Sequence, residues 1–197
     1  MTLDTYRAST GRILYPLALT LNKRGISANQ LSALSLLCAV IAGLAFYVQL
    51  LPLAVVAVGL NAFFDALDGC VARSSNCESS KGDLVDHVID RYADIFIFGG
   101  IIFGGYVPWQ IGLIALLGIL MTSYLGTQAQ AIGAGRDYRG LIGRADRLLL
   151  VFIVAILNAI YPAPIIWFPL LGWMMLVLAV ASNFTALQRF YLAYKEL

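Results

Sequence analysis

The sequence predicts an all-α membrane protein: six transmembrane helices plus an N-terminal amphipathic helix lying on the interface. Three observations carry this. Of the 197 residues, 60% are hydrophobic and only 12% are charged, about half the charge of a typical soluble domain. Six mostly apolar stretches approach the ~20 residues a helix needs to cross a bilayer. All 13 Lys and Arg fall in segments that a six-span threading puts on one side of the membrane. The partner this composition implies is the lipid bilayer. A formal charge of +2 is too small to point to nucleic acid.

The elements follow in order. Over residues 3–21, Tyr6, Ile13, Leu14, Leu17 and Leu21 share a helical face and Arg7 and Arg12 lie elsewhere. That pattern predicts the interfacial helix, with an ordinary packed helix as the alternative. The first 20 residues contain Asp4, Arg7 and Arg12 and no uninterrupted apolar run, so no secretory signal is expected. The spans are Leu31–Leu50, Leu53 to about Asp68, Asp83–Phe103, Trp109–Ile132, Ala145–Ile160 and Ile165–Leu187. "QLLP", "FGGYVP" and "YPAP" are short Pro- and Gly-marked turns without a Lys or Arg. The basic residues sit in the other connections and at the two ends, so the positive-inside rule makes that face cytoplasmic. With no internal repeat, residues 1–197 read as a single domain. Cys38, Cys70 and Cys77 are odd in number and form no CxxC pair, so neither a disulfide framework nor a zinc site is expected.

The unusual stretch is "DALDGCVARSSNCESSKGDLVDHVID", residues 65–90. Asp65 and Asp68 are three apart at the end of the second span, and Asp86 and Asp90 are four apart near the start of the third. Each pair can point from one face of its helix, and the cytoplasmic connection brings both pairs to one depth. A charge within a spanning helix costs roughly 2.5–3.5 kcal/mol, so four unpaired ones would cost on the order of 10 kcal/mol. Divalent cations relieve both that cost and the mutual repulsion. All-oxygen ligands suit Mg²⁺, Mn²⁺ or Ca²⁺, and four carboxylates can hold two ions, a common arrangement in phosphate chemistry. Gly69 and Gly82 allow close approach of a ligand or helix, and Arg73 can reach an anionic oxygen. The alternative is structural pairing of the acids with Arg73, Lys81 and Arg91. Asp83 reads as a helix-start residue and His87 as packed or interfacial. Asp94 continues the Asp86–Asp90 row one turn deeper, where it can pair with Arg91 or with a polar group across the bundle.

The spacing D-x2-D-G-x2-A-R-x8-G-x3-D-x3-D, filled by Asp65, Asp68, Gly69, Ala72, Arg73, Gly82, Asp86 and Asp90, resembles the signature of the CDP-alcohol phosphotransferases at every position. The resemblance implies a fold with six spans, an interfacial N-terminal helix, cytoplasmic ends and a homodimer in the cytoplasmic membrane. It implies that Asp65, Asp68 and Asp86 bind the metals, Mg²⁺ or Mn²⁺, and that Asp90 helps at the metal site and serves as general base. Gly69 and Arg73 would contact the CDP group. Ser79, three before Gly82, stands where relatives often carry a nucleotide-binding hydroxyl. "ISANQLS" resembles the family's P-N-x-[LI]-T segment, making Asn29 and Gln30 nucleotide-site candidates, with Ala28 in place of the usual Pro. The implied reaction is attack of an acceptor hydroxyl on the lipid-linked phosphorus of a CDP-lipid, with release of CMP. The active site would face the cytoplasm.

The acceptor is read from "GRDYRGLIGRADRLLL". Arg144 and Arg147 can face the same way, and Arg136 and Arg139 lie just before them. An arginine cluster suits a phosphorylated acceptor. "GRADR" resembles the "ERAER" run of family members that use inositol phosphate or glycerol phosphate. Gly126 stands where those relatives often carry an arginine. Serine or another unphosphorylated alcohol is the alternative acceptor. The alternative from another class is a cation transporter using intramembrane carboxylates, but the paired halves or broken helices typical of one are not seen.

Overall fold

The computed structural model describes residues 7–74, 80–133 and 140–196, the side chains of 7–13 excepted. Within them the chain forms seven helices: α1 (Arg7–Lys23), α2 (Ala28–Tyr47), α3 (Leu51–Ser74), α4 (Ser80–Phe103), α5 (Trp109–Ala131), α6 (Arg144–Ile160) and α7 (Leu170–Lys195). Local chemistry sets their ends. Gly25, at φ 76°, turns the chain out of α1 with the left-handed backbone that glycine tolerates. Ser27 and Gln30 then form a capping box at the start of α2. The Gln30 N–H donates to Ser27 Oγ (3.4 Å) and the Ser27 N–H donates to Gln30 Oε1 (2.9 Å). Pro52, Pro108 and Pro169 stand at or just before the starts of α3, α5 and α7, where a missing N–H is harmless.

Helix α2 packs along α3 and α4, α5 packs along α7, and α6 joins the two groups by touching α3 and α7. The shared core includes Phe46, Val58, Ile97, Phe98, Ile101, Ile119, Val151, Leu171, Met175 and Leu178. Small residues set the closest crossing. A Cβ on Gly100 would strike the backbone of Gly43, and a Cβ on Gly43 would strike the backbone of Phe96, so α2 and α4 meet backbone to backbone, as small residues permit between apolar helices. Leu34, Leu37, Ile41 and Leu44 on α2, and Val177, Val180, Phe184 and Leu187 on α7, are exposed on outward faces. Such one-sided apolar stripes belong against lipid, and the molecule is an integral membrane protein.

Several elements differ from expectation. Four helices are long and apolar enough to cross a membrane: α2, α3, α5 and α7. Six were expected. Helix α4 falls short because its first four turns carry Asp83, Asp86, Asp90, Arg91 and Asp94, and α6 because it has 17 residues and opens on Arg144, Asp146 and Arg147. The last helix starts at Leu170 instead of Ile165, because Pro169 disfavours helix in the residue before it. On α1 the inward stripe is Leu14, Ala18 and Leu21, packed against Leu67, Cys70 and Val71. Leu17 is exposed, and Tyr6 and the side chain of Ile13 lie outside the described residues.

The α2–α4 crossing gives a matched pair of outcomes. Gly100→Ala must push two backbones apart and should lower the detergent-solubilised Tm, consistent with an overpacking cost of about 1–3 kcal/mol. Gly99, next in sequence but with nothing within 4 Å of a built Cβ, should accept Ala with an unchanged or slightly raised Tm. Thermal unfolding of the two variants side by side checks this.

Candidate active site

The helical spacing read from the sequence places the acids together. On α3 and α4, carboxylate oxygens of Asp65, Asp68 and Asp86 all lie within 4.8 Å of one another. Oxygens that share one divalent ion at about 2.0–2.6 Å sit at most about 4–5 Å apart. The trio therefore fits a hard cation, and all its donors are oxygen, as Mg²⁺ and Mn²⁺ prefer. Asp68 is buried, and Ser32 Oγ on α2 donates to its Oδ2 at 2.7 Å. That bond fixes one carboxylate oxygen and leaves the other lone pairs for a cation.

Asp90 is not one of the trio. Its Oδ1 lies 2.9 Å from Arg144 Nη1 and its Oδ2 lies 3.4 Å from Arg91 Nη2. Arg144, the first residue of α6, also places Nη1 2.7 Å from Asp65 Oδ1 and Nε 3.7 Å from Asp94 Oδ1. Arg147, one turn on, sets Nη2 3.3 Å from Asp94 Oδ2 and 3.4 Å from Ser123 Oγ on α5. A continuous row of alternating charge thus runs Asp65 and Asp90, Arg144, Asp94, Arg147, and it ties α3, α4, α6 and α5 together. The arginines that meet the acids come from α6, with Arg91 as a longer contact. Arg73 is exposed and instead donates to Cys70 Sγ at 3.4 Å.

The other sequence-predicted residues divide. Gly69 and Arg73 are neighbours, since a Cβ on Gly69 would lie 3.3 Å from Arg73 Nη1. Gly82 sits in the first turn of α4 and is half-buried. Asn29 is exposed in the first turn of α2, while the Gln30 side chain is engaged in the capping box. Arg147 is 1% exposed and its guanidinium faces Asp94. Ser79, Arg136 and Arg139 lie outside the described residues. His87 Nδ1 lies 3.6 Å from Asp83 Oδ1, one turn back on the same helix. Gly126 is buried within α5.

Sequence reasoning missed Ser32 and the Arg144 contacts; of the two partners it offered Asp94, the polar group across the bundle is the one found, and it is Arg147. It also missed Asn61, one turn before Asp65, which is fully buried and donates Nδ2 to both the carbonyl and the hydroxyl of Ser35 on α2. A signal for the serines existed. Ser32 and Ser35 are polar positions in an otherwise apolar helix, and a polar group there needs a partner.

Comparison with known proteins gives this geometry a lineage. A family model described as CDP-alcohol phosphatidyltransferase matches residues 26–184. The archaetidylinositol phosphate synthase of Pyrococcus horikoshii is 35% identical over 178 residues, covering 90% of this chain and 89% of that protein. A phosphatidylinositol phosphate synthase of Mycobacteroides abscessus is 31% identical, covering 94% of this chain and 85% of that one. Among solved structures, the Mycobacterium tuberculosis phosphatidylinositol phosphate synthase with CDP-DAG bound superposes with a TM-score of 0.78 at 28% identity, over 93% of this chain and 94% of that one. The same enzyme in complex with manganese and citrate gives 0.78 at 27% identity, over 92% and 88%. With the eight signature residues in place and the model spanning most of its length, this chain belongs to the CDP-alcohol phosphatidyltransferase family.

Proposed function

We propose that the protein transfers the phosphate-linked glycerolipid of a CDP-lipid to a phosphorylated polyol of the inositol phosphate class, forming a phosphodiester and releasing CMP. The observation that carries the reading is the trio Asp65, Asp68 and Asp86, with oxygens within 4.8 Å, set where apolar helices end. The identity to an archaetidylinositol phosphate synthase over nine-tenths of the chain supports the acceptor class, as does the arginine at the edge of the carboxylates.

Residue roles are assigned from the resemblance, with the geometry supporting those of the described residues. Asp65, Asp68 and Asp86 are the metal ligands for Mg²⁺ or Mn²⁺, two ions with Asp90 completing the set. Bound ions would neutralise the pyrophosphate and the departing CMP. Gly69 offers a bare backbone on which the nucleotide can lie, with Arg73 beside it for the phosphates. Asn29, Ser79 and Gly82 are assigned to the same nucleotide end. Gln30 acts there through the capping box that sets the start of α2. Asp90 takes the proton from the acceptor hydroxyl as that oxygen bonds to the lipid-linked phosphorus and the bond to CMP breaks. Arg144 has one edge on Asp65 and Asp90, while its Nη2 has no hydrogen-bond partner among the described residues. That free donor is directed to the acceptor phosphate, with Arg136 and Arg139 as further ligands.

The same reading places all six of α2 to α7 across the cytoplasmic membrane as a single domain, with α1 on the interface, the active site facing the cytoplasm and two chains forming a homodimer. Support for the spanning of α4 and α6 lies in their charges, which neutralise one another within the bundle. The basic residues of the sequence, all on one side of such a threading, support the orientation.

Four outcomes are expected. Exhaustive EDTA treatment should abolish CMP release and Mg²⁺ or Mn²⁺ should restore it. Asp68→Asn should lose Mn²⁺ binding by calorimetry, and Ser32→Ala should weaken it roughly 10-fold, the usual scale for a partner of a metal ligand. In an acceptor panel, inositol phosphate should outperform inositol, glycerol phosphate and serine; a wild-type enzyme that prefers inositol or serine refutes the acceptor class. Single cysteines at Pro108 and Leu141, both exposed, should react with an impermeant label from opposite faces of sealed vesicles, and labelling from one face rejects the six-span topology.

A further inference from the structure

Asp94 lies outside the family signature, and no step of the reaction above uses it. It is 1% exposed, one turn deeper than Asp90 on α4. Its two oxygens face two arginines of α6: Oδ2 is 3.3 Å from Arg147 Nη2 and Oδ1 is 3.7 Å from Arg144 Nε. Arg147 is also 1% exposed, so an acceptor cannot reach it without opening the bundle. Arg144 has 14% of its side chain exposed. Its Nη1 is used on Asp65 and Asp90 at 2.7 and 2.9 Å, its Nε lies 3.7 Å from Asp94 Oδ1 without a hydrogen bond, and Nη2, a buried donor, has no hydrogen-bond partner among the described residues either. A guanidinium is planar, so the short contacts of Nη1 and the charge of Asp94 beside Nε together set the direction of Nη2. Arg147 in turn fixes Asp94, and Ser123 Oγ, 3.4 Å away, fixes Arg147.

We propose that Asp94 is a positioning residue for the acceptor half of the reaction: braced by Arg147, it holds the Arg144 guanidinium so that Nη2 points at the acceptor phosphate. This rests on the reading of the acceptor as a phosphorylated polyol. Arg147 then contributes to acceptor recognition through Asp94, without touching the acceptor.

The test is steady-state kinetics in detergent or nanodiscs with inositol phosphate and inositol as acceptors, varying acceptor and CDP-lipid separately. Asp94→Asn should raise KM for inositol phosphate roughly 10-fold, the scale of one lost charged hydrogen bond, and leave KM for the CDP-lipid and for inositol within about 2-fold. A purely structural role predicts less folded enzyme with every KM unchanged, and that result overturns the proposal. Because Asp94→Asn leaves two buried arginines facing each other, the double variant Asp94→Asn with Arg147→Met provides a second arm with the uncompensated charge removed. It should fold and still show the raised KM for inositol phosphate. Return of that KM to the wild-type value, or failure of this variant also to fold, overturns the proposal by reducing Asp94 to a counter-ion. Failure of the acceptor reading looks different: the wild type itself would show no preference for inositol phosphate over inositol.

Discussion

The structure depends on one requirement, that charge inside an apolar bundle be neutralised locally. Helices α2, α3, α5 and α7 are apolar enough to sit in a membrane on their own merits. Helices α4 and α6 are not, and their docking depends on each other. Arg144 and Arg147 of α6 meet Asp65 of α3 and Asp90 and Asp94 of α4. Removing one member of such a buried pair costs about 3–5 kcal/mol, because the survivor stays buried without its partner. The interaction therefore works as a registry device. It lets α6 dock against α3 and α4 in an arrangement where its two arginines meet Asp65, Asp90 and Asp94, and that arrangement carries the carboxylate trio with it.

Packing on the other side of the site serves the same end. Helix α2 has no charged residue, yet it sets the position of Asp68 through Ser32 and of the preceding turns of α3 through the Ser35–Asn61 pair. On α4, Gly100 meets Gly43 of α2, which lets those two helices approach backbone to backbone. The two helices that carry the trio are thus each held against α2, α3 by polar contacts and α4 by the absence of side chains. A metal site needs its ligands fixed to a fraction of an ångström, and a rigid three-helix unit meets that need better than loops would.

Much of this was legible in the sequence, for a physical reason. Helical periodicity is local, so the clustering of Asp65, Asp68 and Asp86 follows from a spacing of three on α3 and a short connection to α4. What was not legible depends on contacts far apart in the chain. Asp65 and Arg144 are 79 positions apart, and no periodicity within either helix names the other as partner. Arg147 shares a helical face with Arg144, as the spacing indicates, but spacing cannot say that this face meets Asp94. Gln30 was read through a motif as a nucleotide-site candidate, while its nearest need is local, closing the first turn of α2 with Ser27. Leu17 was read as sharing the apolar face of α1 with Leu14 and Leu21; unlike them it is exposed, as a leucine of an interfacial helix can be where it meets lipid.

Asp65 joins the two halves of the site. One of its oxygens belongs to the trio that suits a cation, and its Oδ1 is 2.7 Å from Arg144. A carboxylate has about four lone-pair positions, so the two engagements are compatible. In the proposed reaction the nucleotide end is handled by the Asp68 and Gly69 side and the acceptor end by the α6 arginines. Transfer requires the acceptor oxygen to lie in line with a phosphorus held at the other end, and small misplacements of reacting groups are costly. A single side chain touching both halves fixes the distance between them. In that proposal a lipid arriving from the bilayer and a polar acceptor arriving from water are brought to one point because the carboxylate that would bind the metal also contacts the arginine that would bind the acceptor.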